Sequence, residues 1–246
     1  LRPIFGEDPY YVGAVDLLLE VGKQSRQWEP IVELLDVGAD QGDGVDDDLY
    51  VRLVLELAAL QTNNLKNDHE AIRRYSQVLE RAPHNETALD ALEHLYEKTA
   101  SWFELLQIIE VRVEMADDAS ERCDLINRQS VLYEEKLQDF PSAVDAQLRI
   151  IEEAGLDGAR IVALRRLYAQ TEQFSELYGL LGEYVDVLTT DEELIDVQLE
   201  LAEIAMEHLA DPEGAIDHFR TVLAIQQDHV SARMGLESLL DNEMVR

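Results

Sequence analysis

The chain has 246 residues and a formal net charge of −32, from 52 acidic and 20 basic residues. This charge repels DNA, RNA and anionic membranes and therefore disfavours a function that needs direct contact with any of them. Hydrophobic residues make up 46% of the chain, which is enough to bury a core. The single cysteine excludes an internal disulfide and favours a reducing, cytoplasmic compartment.

The opening residues are predicted to finish a partial repeat, residues 1–27. Asp8 and Pro9 match Ala82 and Pro83, which end a helix pair of the next repeat. We therefore expect the chain to begin inside a repeat, with a targeting segment possible upstream of it.

The second repeat, residues 28–101, contains an acidic loop around residues 38–48 that carries two more residues than the later copies. The stretch 40–48 faintly resembles a calcium-binding loop. Aligning Gly44 with the invariant glycine of an EF-hand places Tyr50 where the bidentate acid belongs, so the pattern fails. We interpret the segment as a solvated loop that caps the following helix.

The third repeat, residues 102–173, is predicted to form four helices near 102–116, 119–137, 141–154 and 157–170. Apolar residues recur at three- and four-residue intervals in each segment, which is typical of amphipathic helices. Pro141 suits the first turn of a helix, and the residues around Gly155 and Gly158 break the pattern.

The fourth repeat, residues 174–246, follows the same pattern after a shift of about 72 residues, twice the length of a typical helix-pair repeat. Ala71, Ala143 and Ala215 are small where two helices should cross closely. Bulky aromatics open the repeats, and we interpret them as core wedges rather than as ligand-stacking residues: Trp28, Trp102 and Phe174. The chain is thus predicted to be all-α, with about thirteen helices in antiparallel pairs and no sheet.

Helix pairs of this length resemble the tetratricopeptide repeat (TPR) family. Ala71, Tyr75 and Pro83 stand at the family's small, aromatic and proline positions, while Gln147 replaces the aromatic in the next repeat and Phe219 restores it. The resemblance covers about residues 7–241. It implies an α-solenoid, a right-handed superhelix whose groove is lined by the first helix of each pair. Related repeats of the half-a-TPR kind remain open.

The resemblance also implies which side chains face the groove, and we expect these to bind a partner. The positions are Leu53, Glu56, Leu60, Asn64, Asp90, His94, Leu125, Arg128, Leu132, Arg166, Val197, Glu200 and Ile204. The Lys and Asn residues with which the family clamps a C-terminal carboxylate are absent. The alternative for the apolar rows, such as Leu53 with Leu125 and Val197, is that they belong to the core.

The sequence lacks the common enzyme motifs. It contains no glycine-rich phosphate loop, no nucleophile elbow and no zinc-ligand spacing among its six histidines. We therefore expect no catalytic activity, no cofactor and no metal.

The sequence favours a non-catalytic scaffold that binds a protein or peptide of basic character in the concave groove. The alternative is a regulatory or sensory arm of a larger enzyme or multi-protein complex, including a half-a-TPR-like subunit of an RNA-processing assembly. The oligomeric state is left open.

Overall fold

A computed structural model of the chain describes Tyr10 and residues 13–244, with residues 240–244 as backbone only. Within these residues the protein consists of thirteen α-helices and contains no strand. The all-α class and the helix count agree with the prediction. Asp8 and Pro9, on which the partial first repeat rests, lie outside the described residues.

The chain divides into two compact units, Leu1–Met115 and Ala116–Arg246, which we call the N-terminal and the C-terminal unit. Their border falls inside the predicted third repeat, residues 102–173, so the repeat boundaries remain a sequence-based prediction.

The N-terminal unit contains three helix pairs. In chain order the helices are α1 Ala14–Ser25, α2 Glu29–Asp40, α3 Asp47–Leu60, α4 Asp68–Arg81, α5 Glu86–Thr99 and α6 Trp102–Met115. Each helix contacts the next one along the chain, and the turns between them are short, so successive helices run antiparallel. We call α1, α3 and α5 the first helices of their pairs and α2, α4 and α6 the second helices.

The C-terminal unit repeats this arrangement. Its helices are α7 Ala119–Leu132, α8 Phe140–Ala154, α9 Gly158–Gln170, α10 Phe174–Val185, α11 Asp191–Glu207, α12 Pro212–Ile225 and α13 Val230–Met244. The first helices are α7, α9, α11 and α13, and the others are second helices.

One predicted helix differs from the structure at its end. The prediction extended α7 to residue 137, but the α-helix ends at Leu132 and continues as one turn of π-helix, Tyr133–Leu137. The matching turn after α3 is also π-helical, Gln61–Leu65. A π-turn closes its hydrogen bonds over five residues instead of four. Because both π-turns end their helices, no helical residues follow whose apolar spacing would show the shift in register.

Side-chain caps fix most helix starts. Nine helices begin after a residue whose side chain accepts a hydrogen bond from a backbone N–H of the first turn: Asp46, Asn67, Asn85, Asp118, Asp139, Asp157, Thr190, Asp211 and His229. Such caps satisfy N–H groups that have no partner inside the helix. Pro141 lies in the first turn of its helix, as predicted.

The acidic loop before α3 is a cap, as predicted from its sequence. Asp46 Oδ1 accepts from the backbone N–H groups of Asp48 and Leu49 at 3.1 and 3.4 Å. Arg81 of α4 also binds the loop. Its guanidinium donates to the carbonyl of Gly42 at 2.8 Å and lies 3.9 Å from the ring centre of Tyr50.

Small and bulky residues pack where the repeat pattern placed them. Ala71, Ala143 and Ala215 have no exposed surface, which fits close crossing of the second helices with their neighbours. Trp28 and Phe174 pack partly buried against the cores of their own units. A Cβ atom at Gly22 would lie only 2.5 Å from the Trp28 ring, so the glycine makes room for it. These contacts support the interpretation of both aromatics as core wedges.

Six residues with left-handed backbone conformation follow the ends of helices or their π-turns. None of them is glycine, and their φ angles lie between 52° and 57°: Arg26, Lys66, Ala100, Gln138, Glu172 and Ala210. Lys66, Gln138 and Ala210 occupy equivalent positions of successive repeats, and so do Ala100 and Glu172. The backbone thus repeats at positions where the amino acid does not.

Candidate partner-binding face

The apolar rows expected in a groove lie mostly in the core. Leu53, Leu60, Leu132, Val197 and Ile204 are all less than 9% exposed, and Leu125 is partly buried. Five of the six side chains therefore cannot touch a partner on the protein surface. The expectation that they line a groove is corrected: they pack between helices, because the exposed side of each first helix carries other residues.

The polar residues of the same prediction are more accessible. Asn64, Asp90, His94 and Arg166 are exposed, whereas Glu56, Arg128 and Glu200 are partly buried. Asp90 is already paired, because Arg112 of α6 binds it together with Glu86 and Glu93 of α5. In the N-terminal unit this ion-pair network occupies the first half of α5.

Exposed apolar side chains of the C-terminal unit are concentrated on its first helices. Of the six large ones among the described residues, five lie there at 36 to 68% exposure, namely Val131, Val162, Met206, Val230 and Met234. The sixth, Val187, lies in the turn after α10. Scattered exposed apolar residues are ordinary, but five of these six share one class of helix, which makes the exposed side of the first helices the candidate contact surface of this unit.

Helix α9 is braced on both sides by adjacent arginines. Arg166 Nη2 lies 2.6 Å from Glu134 Oε2 in the turn after α7, and Arg165 Nη2 lies 2.6 Å from Glu200 Oε2 on α11. These ion pairs place three first helices side by side. Val162, 63% exposed, lies about one turn before both arginines. We call Val162, Arg165 and Arg166 the α9 face; it presents an apolar side chain beside charges that are already neutralised.

Next to this face, α11 carries unpaired carboxylates. Asp196, Glu203 and Glu207 are exposed and spaced seven and four residues apart, which puts them on one side of the helix. No cationic side chain of the described residues lies within 4.0 Å of these three carboxylates. We call them the α11 acidic edge. Burial raises the pKa of the neighbouring Glu200, and Arg165 opposes that rise.

A buried arginine in the N-terminal unit was not indicated by the sequence. The side chain of Arg74 on α4 is 2% exposed and pairs with Asp36 of α2 and with Glu70, while its Nη1 donates to Gln77 Oε1 at 3.0 Å. Because Asp36 lies 38 residues away, no local pattern could have indicated the contact. The cluster is saturated with internal partners, so we treat it as structural.

A second polar cluster escaped the sequence analysis, in the C-terminal unit. His218 of α12 lies between Tyr178 of α10 and Gln198 of α11, with a hydrogen bond to each. Burial lowers the pKa of His218, whereas Asp217 and Asp211 act in the opposite direction. Burial is the larger effect, so the pKa of the imidazole lies below its ordinary value.

Neither cluster has the composition of a metal site. Among the described residues, no group of three or more His, Cys, Asp or Glu side chains is arranged to hold a metal ion. Within the same part of the chain, no helix is both long and apolar enough to cross a bilayer.

Comparison with known proteins finds similarity only at the level of structure. No family model and no curated protein matches the chain. YrrB, described as a TPR protein with an unusual peptide-binding site, is 16% identical, with 75% of this chain and 91% of that one covered and a TM-score of 0.37. A TPR protein from Parabacteroides merdae is 14% identical, with 92 and 98% covered and a TM-score of 0.39.

The chain also matches the Naa15/Naa10 complex bound to HypK-THB, at 14% identity and a TM-score of 0.44. There it spans 92% of its own length and 38% of the other chain. At such identities and TM-scores the similarity says nothing about activity or partner. The protein's own antiparallel helix pairs, with caps, small crossing residues and left-handed turns at matching positions, make it an all-α helical repeat protein.

Proposed function

We propose that this protein is a non-catalytic interaction scaffold, and that its C-terminal unit binds a protein or peptide segment with basic character. The segment contacts the α9 face and the α11 acidic edge. The observation that carries the proposal is that five of the six exposed large apolar side chains described in this unit lie on its first helices. The buried apolar rows of the same helices have no part in it.

The α9 face supplies the apolar part of the contact. Val162 is exposed while the charges beside it are paired, so a partner that covers Val162 need not strip water from an isolated charge. Met206 on α11 is 36% exposed and lies one turn after Glu203 and next to Glu207, so it adds an apolar side chain beside these carboxylates. Methionine side chains adapt their shape to different apolar partners.

The α11 acidic edge supplies the charge. Asp196, Glu203 and Glu207 have no cationic neighbour among the described residues, so lysine or arginine side chains of a partner would be their first close counter-charges. The net charge of −32 attracts such a partner over a longer range. Opposite charges at the edge of a contact mainly speed association, and salt weakens that effect.

A displayed library of random peptides tests the proposal with the native chain as bait. We expect the enriched peptides to combine Lys or Arg with apolar residues. Val162→Asp should weaken the binding of these peptides by about tenfold or more, equivalent to about 1.4 kcal/mol. Val187→Asp is the matched control, because Val187 is 51% exposed but lies outside the first helices. Its affinity should be unchanged.

A second set of variants tests the charge. Asp196→Asn, Glu203→Gln and Glu207→Gln combined should lower the affinity and flatten its dependence on salt. Glu152→Gln, Glu172→Gln and Glu213→Gln combined change the net charge equally at exposed sites elsewhere in the unit. If no peptide is enriched, or if Val162→Asp and Val187→Asp bind alike, the proposed face is wrong. If both triple variants lost the same affinity, the preference for basic peptides would come from the net charge of the protein and not from the α11 acidic edge.

A further inference from the structure

The dipeptide Asp–Gly occurs twice in the sequence, once in each unit. Asp43–Gly44 lies in the acidic loop before α3, and Asp157–Gly158 lies at the start of α9. Both aspartates and both glycines are exposed, so water reaches the two sites alike. The two sites therefore differ in local structure and not in accessibility.

An aspartate followed by glycine can rearrange without an enzyme. The backbone nitrogen of the glycine attacks the carbon of the protonated side-chain carboxyl group, a C–N bond forms, and the hydroxyl group leaves as water with the amide hydrogen. Water then opens the five-membered imide at either carbonyl. Opening at the backbone carbonyl gives isoaspartate, in which the side-chain methylene has become part of the main chain. Glycine favours the first step because it has no side chain to obstruct rotation.

At Asp157 the helix cap opposes this attack. The Oδ1 atom of Asp157 accepts a hydrogen bond from the backbone N–H of Arg160 at 2.8 Å, and Gly158 is the first residue of α9. The carboxyl carbon can approach the Gly158 nitrogen only if the cap bond breaks and the first helical turn rotates. Because such a cap stabilises its helix, the rearrangement has to overcome that stabilisation.

At Asp43 no comparable contact holds the reacting groups. Among the described residues, none forms a hydrogen bond or an ion pair with the Asp43 side chain, and none accepts from the backbone N–H of Gly44. Gly44 has a φ angle of 78°, and a Cβ atom there would meet no atom of a non-neighbouring residue within 4 Å. One backbone hydrogen bond closes the turn, from Val45 to the carbonyl of Gly42 at 3.3 Å. No side-chain contact has to break before the carboxyl group approaches the amide nitrogen.

We propose that Asp43 is a site of spontaneous isoaspartate formation, and that the fold protects Asp157 from the same reaction. This inference does not depend on the proposed partner-binding face. The product keeps the mass of aspartate but lengthens the main chain between Asp43 and Gly44 by one methylene group. Arg81 holds the carbonyls on both sides of this bond, those of Gly42 and Val45, at 2.8 and 3.3 Å. The longer link changes the spacing of the two carbonyls and loosens the hold of Arg81 on the loop.

Incubation of the full chain for several weeks at mildly acidic pH and physiological temperature tests the proposal. Peptide mapping by mass spectrometry with electron-transfer fragmentation distinguishes isoaspartate from aspartate at each site. We expect isoaspartate to accumulate severalfold faster at residue 43 than at residue 157. In guanidinium chloride at a concentration that unfolds the chain, both sites should react at similar rates, because the cap of α9 is lost.

Asp43→Glu is the matched variant, because it keeps the charge but cannot close the five-membered ring. Hydrogen–deuterium exchange of the Asp48 and Leu49 amides, which Asp46 caps, should become faster as the native chain ages but should stay constant in this variant. The proposed site is overturned if residue 43 stays unmodified in the folded chain. The proposed protection is overturned if residue 157 reacts as fast, or if the excess at residue 43 persists in guanidinium chloride. Unchanged exchange in chains that carry isoaspartate would overturn the loosening of Arg81.

Discussion

At the scale of single residues, Arg74 shows how the acidic chain uses its few cations. Its guanidinium is almost fully buried, yet Asp36 and Glu70, which it pairs with, keep 32 and 26% of their side chains exposed. Removing the arginine leaves Glu70 paired with Arg73, but it takes from Asp36 the one cation with which this carboxylate forms an ion pair among the described residues. Loss of one partner from a buried pair is costly mainly through the charge left behind.

Arg74→Met should therefore destabilise the N-terminal unit by about 3 kcal/mol, at the low end of the range for buried pairs. Arg73→Met is the natural control, because Arg73 is the neighbouring residue, contacts the same Glu70 and is 48% exposed. Its loss should cost about 0.5 kcal/mol, as exposed ion pairs do. Urea unfolding monitored by circular dichroism measures both, and equal losses would contradict the structural role given to Arg74.

At the scale of the helices, the sequence was a good guide to where they start. Asp139 and Asp157 precede helices that begin within one residue of the predicted starts, because capping residues and prolines act on their own first turn. These two helices also end at the predicted residues, Ala154 and Gln170, but the end of α7 was harder to predict. The π-turn Tyr133–Leu137 and the left-handed residue Gln138 that follows it have no glycine to mark them, since the turn is imposed by packing with the next helix.

The left-handed residues at helix ends yield a prediction at this scale. Ala100 and Ala210 have φ angles of 55° and 52°, where a Cβ atom costs about 1 kcal/mol and glycine costs little. Ala100→Gly and Ala210→Gly should each raise the free energy of unfolding by about 0.5 kcal/mol, after the greater freedom of glycine in the unfolded chain is subtracted.

Ala91→Gly provides the control, since Ala91 lies inside α5 and should lose about 1 kcal/mol. The midpoint of thermal unfolding ranks the three variants. A lower midpoint for both Ala100→Gly and Ala210→Gly would mean that other contacts of the alanine methyl groups outweigh the backbone term.

At the scale of the whole molecule, the main feature is the excess of acidic over basic residues. At least twelve of the cations form ion pairs among the described residues, which leaves a large surplus of carboxylates with no near counter-charge. Salt weakens both the attraction within the ion pairs and the repulsion among the carboxylates that have no counter-charge. Because acidic residues outnumber basic ones by 52 to 20, the relief of repulsion is the larger effect.

We therefore expect the midpoint of thermal unfolding to rise by several degrees as potassium chloride is raised from about 0.05 to about 1 M. Sorbitol at matched osmolality separates charge screening from a general effect of solutes on burial and should give a smaller rise. A midpoint that falls with potassium chloride would show that the ion pairs contribute more than the surplus repulsion costs.

The candidate site was less predictable than the fold. The repeat period shows which positions are equivalent, but it does not distinguish a row that faces a neighbouring helix from one that faces water. Leu132 and Val131 are adjacent in sequence and equally apolar, yet Leu132 is 8% and Val131 40% exposed. Only the packing of α7 against its neighbours separates them. The Tyr178–His218 contact likewise spans 40 residues and leaves no local trace.

The regular spacing of the left-handed turns also affects how such a chain can evolve by gaining or losing repeats. Lys66, Gln138 and Ala210 occupy the same backbone position in three copies, although their side chains share no chemistry. The geometry of these turns is therefore set by the helices around them and not by a particular residue. A recombination event that inserted or removed one whole double repeat would join turns that already fit, whereas one of any other length would put helix starts and ends out of phase.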